Sequence, residues 1–208
     1  MARTFTLVVL LVIVALFALS YMTSTGYLPA SSLALSAAPP SHSSSGRGVA
    51  APVGGSVSSS SILGPPSLSV DFLNRVLAAY HSPAAGLGSV LYQDSVTYGI
   101  DDAYALAFFL HESSMGNVGM AHATHSLGNI RCTPGWSCLG GYRYYATWAA
   151  GFLDWFRLMR NEYLPRHLST VPSIIPVYAP SADHNDEHGY IAAVLSAVSA
   201  WRVGRVVV

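Results

Sequence analysis

Residues 100–131 read IDDAYALAFFLHESSMGNVGMAHATHSLGNIR. Asp101 and Asp102 are good residues for a helix N-terminus. Ala103, Leu106, Ala107 and Leu110 then recur at helical spacing, and Phe108 and Phe109 widen the apolar face. The apolar pattern stops at Glu112, and Gly116 offers a C-terminal cap. The spacing predicts a largely buried helix with Glu112 in its last turn. Both settings raise a carboxyl pKa, because the negative end of the helix dipole and an apolar surround each disfavour an anion. A carboxyl kept protonated near neutral pH is what a glycosidase requires of its general acid. The competing reading is a glutamate that frays into solvent at a helix end.

Around this stretch the chain reads as mostly helical from Ser67 onward. Val70, Leu73, Val76, Leu77 and Tyr80 share a helical face behind Ser69, a candidate N-cap. Ser82-Pro83 ends that helix. Ser89 is a candidate cap for a second helix carrying Val90, Leu91 and Tyr98, stopped by Gly99. Residues 115–141 are rich in Gly, Ser, Thr, His and Asn and read as irregular, with room for a short hairpin. Tyr145, Trp148, Ala149, Phe152, Phe156 and Met159 mark a long amphipathic helix ending before Pro165. Residues 169–176 have room for one helical turn. Residues 187–202 close the domain as a helix with Ile191, Val194, Leu195, Val198 and Trp201 inward.

The N-terminal third differs in kind. Arg3 precedes an apolar run from Phe5 to Leu19, extended by Tyr21 and Met22, which reads as a signal peptide or short membrane anchor over residues 1–28. With the positive charge before the apolar run, the remainder is expected to be secreted or membrane-anchored, facing outward. Residues 29–66 are rich in Ser, Gly and Pro and read as a flexible linker, leaving residues 67–208 as the folded domain. In an exported chain Cys132 and Cys138 are expected to pair across a short loop.

Composition narrows the function. The 208 residues carry 10 basic and 10 acidic side chains, so no net charge, which argues against an electrostatic nucleic-acid partner. Every basic residue is an arginine. His111-Glu112 is not a zinc-protease motif, because Met115 stands where the second histidine is needed. His122 with His125, and His184 with His188, have ligand-like spacing but read better as polar loop residues, and no metal or cofactor is expected. Ser113 and Ser114 lack the glycines of a nucleophile elbow.

The segment FFLHESSMG followed by SLGNIR resembles the bacterial glucosaminidase domain of the lysozyme-like superfamily, glycoside hydrolase family seventy-three. The likeness continues through Tyr142-Arg143-Tyr144-Tyr145, Tyr178-Ala179-Pro180, Asp183, Asn185 and Tyr190-Ile191. It implies a lysozyme-like helical domain acting on peptidoglycan glycan strands. By the same resemblance Glu112 is the acid, and Tyr178 faces it and positions the sugar. Ser126, Gly128 and Asn129 shape the cleft floor, and Tyr144, Asp183, Asn185 and Tyr190 are further substrate-binding candidates. The chain is expected to act as a monomer, tethered to a membrane where the apolar run is retained.

One departure from the two-carboxyl pattern of glycosidases stands out. Between Glu112 and Asp154 the chain has no Asp or Glu. Two routes remain: a single essential Glu112 with assistance from the substrate's own acetamido group, or Asp183 as the second carboxylate. A lytic transglycosylase using the same acid, and a wall-binding module without catalysis, are the competing functions.

Overall fold

Helix α3 (Asp102–Ser113) is buried on every face from Ala103 to Phe109, and a helix without a polar stripe has to lie inside the fold. The structure, a computed structural model, describes residues 60–208. These are mostly α-helical, as expected. Around α3 run α1 (Val70–Ala79), α2 (Gly88–Tyr98), α4 (Ala121–Thr124), α5 (Trp148–Leu158), α6 (Val171–Tyr178) and α7 (Glu187–Arg202). The strands β1 (Cys138–Leu139) and β2 (Tyr142–Arg143) form an antiparallel hairpin between α4 and α5. Helix α3 packs chiefly along α7, and the core unites Phe108, Phe109, Phe152, Trp155, Val198 and Trp201. No helix among the described residues is long and apolar enough to cross a membrane. The apolar run and the linker as far as residue 59 lie outside the described residues.

Local chemistry explains the helix starts. The Ser69 hydroxyl accepts from the Phe72 N–H at 3.2 Å, and Asp101 Oδ1 accepts from Ala103 N–H at 3.0 Å. Thr170 and Ser173 form a reciprocal capping box at the head of α6. Four features depart from expectation. Helix α2 starts at Gly88 rather than after Ser89, because Asn74 Oδ1 of α1 accepts the Gly88 N–H at 2.8 Å. The long helix expected as far as Pro165 is α up to Leu158, then a π turn (Met159–Tyr163) and a 3-10 turn (Leu164–Arg166). Helix α6 is two full turns, since Pro172 sits in its first turn where no N–H is needed. Residues 60–66, assigned to the linker, belong to the fold: Ile62 is fully buried, and Ser60 O accepts from Val171 N–H at 2.9 Å. A single isoleucine in a serine-rich run is enough to supply that core contact.

The hairpin is pinned at two points. Cys132 and Cys138 are disulfide-bonded, with Cα atoms 5.9 Å apart. Arg143 Nη1 donates to Asp154 Oδ2 of α5 at 2.9 Å, and the Tyr145 hydroxyl donates to the same oxygen at 2.6 Å. All three residues are buried, so the ion pair is shielded from water. Reducing the disulfide is expected to lower stability by about 2 kcal/mol, the loop-closure value for so short a ring. Denaturant midpoints with and without reductant check this, and an unchanged midpoint counts against it. Helix α5 also crosses the 125–130 loop with no spare room. A Cβ on Gly151 would stand 2.0 Å from the His125 carbonyl oxygen, a main-chain atom that cannot swing away. Gly151→Ala is expected to cost roughly 2 kcal/mol, measured by chemical denaturation.

Candidate active site

Glu112 occupies the last turn of α3, where the chain leaves the core. Ser114 and Met115 both take left-handed backbone conformations, φ 47° and 61°, and end the helix before Gly116 is reached. The Ser113 hydroxyl donates to the Leu127 carbonyl at 2.8 Å and ties this turn to the 125–130 loop. Ser126 Oγ accepts the Ile130 N–H at 3.0 Å and closes the loop on itself. Gly128 lies against the core: a Cβ there would be 2.7 Å from both Trp155 Cδ1 and Tyr178 Oη. The Tyr178 hydroxyl donates to the Gly128 carbonyl. Asn129, at φ 45°, takes the left-handed turn that asparagine tolerates. Its Nδ2 donates to the Glu112 main-chain carbonyl at 2.7 Å, so it also satisfies an orphan acceptor at the end of α3.

These elements frame a cleft of about 370 Å³ lined by Glu112, Asn129, Arg131, Tyr142, Tyr178, Asp183 and Asn185, among others. The hairpin and its flanks supply one wall. The α6–α7 connection supplies the other. Across the mouth, Arg131 and Asp183 approach to 3.7 Å, an exposed pair of little energetic weight.

The Glu112 carboxyl is set apart from the other cleft acids. Tyr190, on α7, donates its hydroxyl to Glu112 Oε1 at 2.7 Å, and its ring stacks on His111 with centroids 3.7 Å apart. Burial pushes the Glu112 pKa up, and the hydrogen bonds from Tyr190 and Asn129 and the charge of Arg131 pull it part of the way back. Burial also holds the Tyr178 and Tyr190 phenols well above their ordinary range, and the nearby Glu112 charge adds to it. Both hydroxyls are thereby favoured as donors. The His111 imidazole is pushed down by burial, against a pull upward from Asp186. A carboxyl whose pKa is raised by burial, fixed phenols and an open cleft form an arrangement that can deliver a proton to a bound oxygen.

The candidate residues separate into three groups. Glu112, Asn129, Tyr178, Asp183 and Asn185 come together in the cleft lining. Tyr190 is buried and touches Glu112 from behind, while Ser126 and Gly128 are buried within the 125–130 loop and shape it without lining the cleft. Tyr178, expected to position a sugar, has its hydroxyl engaged by Gly128 and its ring edge-on to Phe108 at 5.3 Å. It offers the cleft a wall rather than a free hydroxyl. Tyr144 lies outside the lining and is exposed. Its N–H donates to Ser137 O at 2.8 Å, and alternation along the strand that buries Arg143 turns Tyr144 the opposite way.

Arg131, Tyr142, Arg143 and Tyr163 also line the cleft and were not singled out as site residues. Alternation through residues 142–145 was the available signal for Arg143. Tyr163 follows Met159 by one helical turn, but the π turn that aims it has no sequence mark. His122 and His125 pack on Trp148, with centroids at 6.4 and 4.7 Å. Among the described residues no three His, Cys, Asp or Glu side chains gather as a metal site. No family model matches the chain, and no curated protein matches it.

Proposed function

We propose that the chain is a peptidoglycan hydrolase with a lysozyme-like helical domain. It cleaves the β-1,4 bond between N-acetylglucosamine and N-acetylmuramic acid, on the reducing side of the former. The observation that carries the reading is Glu112: a carboxyl with its pKa raised by burial, hydrogen-bonded by Tyr190, at the edge of an open cleft. Glu112 gives its proton to the glycosidic oxygen as the bond to the anomeric carbon breaks. The substrate's acetamido oxygen captures that carbon, and water then opens the cyclic intermediate, returning a proton to Glu112. Asn129, with a buried Oδ1 that has no partner, and the cleft aromatics suit an amide-bearing sugar.

A second reading gives Asp183 the role of base, and it is favoured by the place of Asp183 in the same cleft. Asp183→Asn separates the two: a loss as deep as that of Glu112→Gln selects the two-carboxylate route. The function itself is tested by mass spectrometry of fragments released from purified sacculi. Reducible N-acetylglucosamine ends are expected. Anhydro-muramyl ends would instead identify a transglycosylase, and binding without release a wall-binding module.

A further inference from the structure

A second cavity, of about 270 Å³, opens beside the catalytic cleft between the disulfide loop and the end of α5. Trp136 lines it, with Arg157, Asn161 and Glu162, and it shares Arg143 and Leu158 with the cleft that holds Glu112. The two hollows are therefore neighbours along one wall. We propose that this second cavity is a distal glycan subsite, in which the Trp136 indole stacks on a sugar ring beyond the bond presented to Glu112. The proposal rests on the glycosidase reading of Glu112 and deepens it: the strand is held beyond the disaccharide whose bond is cut.

Three observations carry it. First, Trp136 is 41% exposed at the tip of a loop, whereas Trp155 and Trp201 are in the core. An exposed indole offers a ring face, and π faces suit the C–H faces of sugars. Second, the ring is held still. The Arg143 guanidinium lies over it at 4.3 Å, and Tyr145 meets it edge-on at 6.2 Å. Arg143 is itself clamped by Asp154 at 2.9 Å and Thr133 at 3.0 Å, and Cys132–Cys138 closes the loop beneath. Such a platform loses little freedom when a ligand arrives. Third, the cavity's charges are balanced, Arg143 and Arg157 against Asp154 and Glu162. A lining of this kind suits hydroxyl and acetamido groups, not a phosphate, which would call for an excess of cations.

The test uses the full chain carrying Glu112→Gln, so that bound glycan survives, with Trp136→Ala or Trp136→Phe added. Calorimetry measures binding of peptide-free wall glycan, either as a single disaccharide or as strands several disaccharides long. Trp136→Ala is expected to weaken strand binding about fivefold to tenfold and to leave disaccharide binding unchanged. Trp136→Phe restores most of the difference. Strand binding equal in the two backgrounds overturns the subsite and leaves the role of Glu112 standing. Equal weakening of strand and disaccharide also overturns it, since the loop would then act on the whole cleft. If no glycan of any length binds and wild-type chain releases nothing from sacculi, the glycosidase reading falls and the subsite with it.

Discussion

Glu112→Gln is expected to reduce fragment release from cell-wall sacculi by about 10²- to 10⁴-fold, the range for loss of a general acid. The amide keeps the size of the side chain and can still accept from Tyr190, so the melting midpoint should stay near wild type. Undiminished release would remove Glu112 from the mechanism. The pH dependence gives a finer check. Burial raises the Glu112 pKa above its ordinary value, and only the protonated form can act. The alkaline limb of kcat/KM should therefore lie above the usual carboxyl range, with activity lost as pH rises through it. The Tyr190 hydroxyl donates to the charged form and pulls this pKa down. Tyr190→Phe is expected to move the alkaline limb to higher pH. A limb that stays put or moves down would show that the hydrogen bond does not set the proton affinity.

Stability is expected to fall between mildly acidic and mildly alkaline pH, and Asp102 is the largest cause. Its Oδ1 accepts from the Ser67 and Leu68 N–H groups, both at 3.1 Å, but Oδ2 is buried without a partner. Burial and the adjacent Asp101 carboxylate push its pKa up to about 7. The native state thus holds a proton that the unfolded chain releases near pH 4. Stability from this group is complete below that point and is lost as pH climbs through the folded value, on the order of 4 kcal/mol in all. Asp94, pushed up to about 6 by burial, acts in the same direction. His111 acts in the opposite one: burial lowers its pKa, so its share grows as pH rises. It is one group against two and does not reverse the trend. Asp102→Asn keeps the accepting oxygen and removes the charge. The variant should gain stability at pH 8 and lose most of the difference between pH 5 and pH 8 in thermal or urea unfolding. Equal destabilisation at both pH values would contradict this account.

Much of the fold could be read locally. Ser69 and Asp101 cap the helices they precede, and the apolar run after Asp102 is the buried centre. Local reading failed where a distant residue decides. The Gly88 N–H is taken by Asn74 from another helix, which no inspection of Ser89 reveals. Helix α6 is longer than the one turn expected within residues 169–176, and Pro172 occupies the one turn that accepts it. The same division runs through the site. Glu112 and Asn129 belong to one continuous stretch and were legible together. The Tyr190 contact joins residues 78 apart and depends on how α7 lies on α3. The outward turn of Tyr144 depends on the register of a four-residue hairpin, which spacing alone does not specify.

Glu112 stands on the innermost helix, while Tyr142 sits on the hairpin and Arg131, Asp183 and Asn185 on loops and turns outside that helix. Under the proposed function, reactivity and selectivity would be carried by separate parts of the chain. Exchanging the 131–143 or 179–186 segment for one of different length or charge should redirect which polymer is accepted, while proton delivery stays with the scaffold.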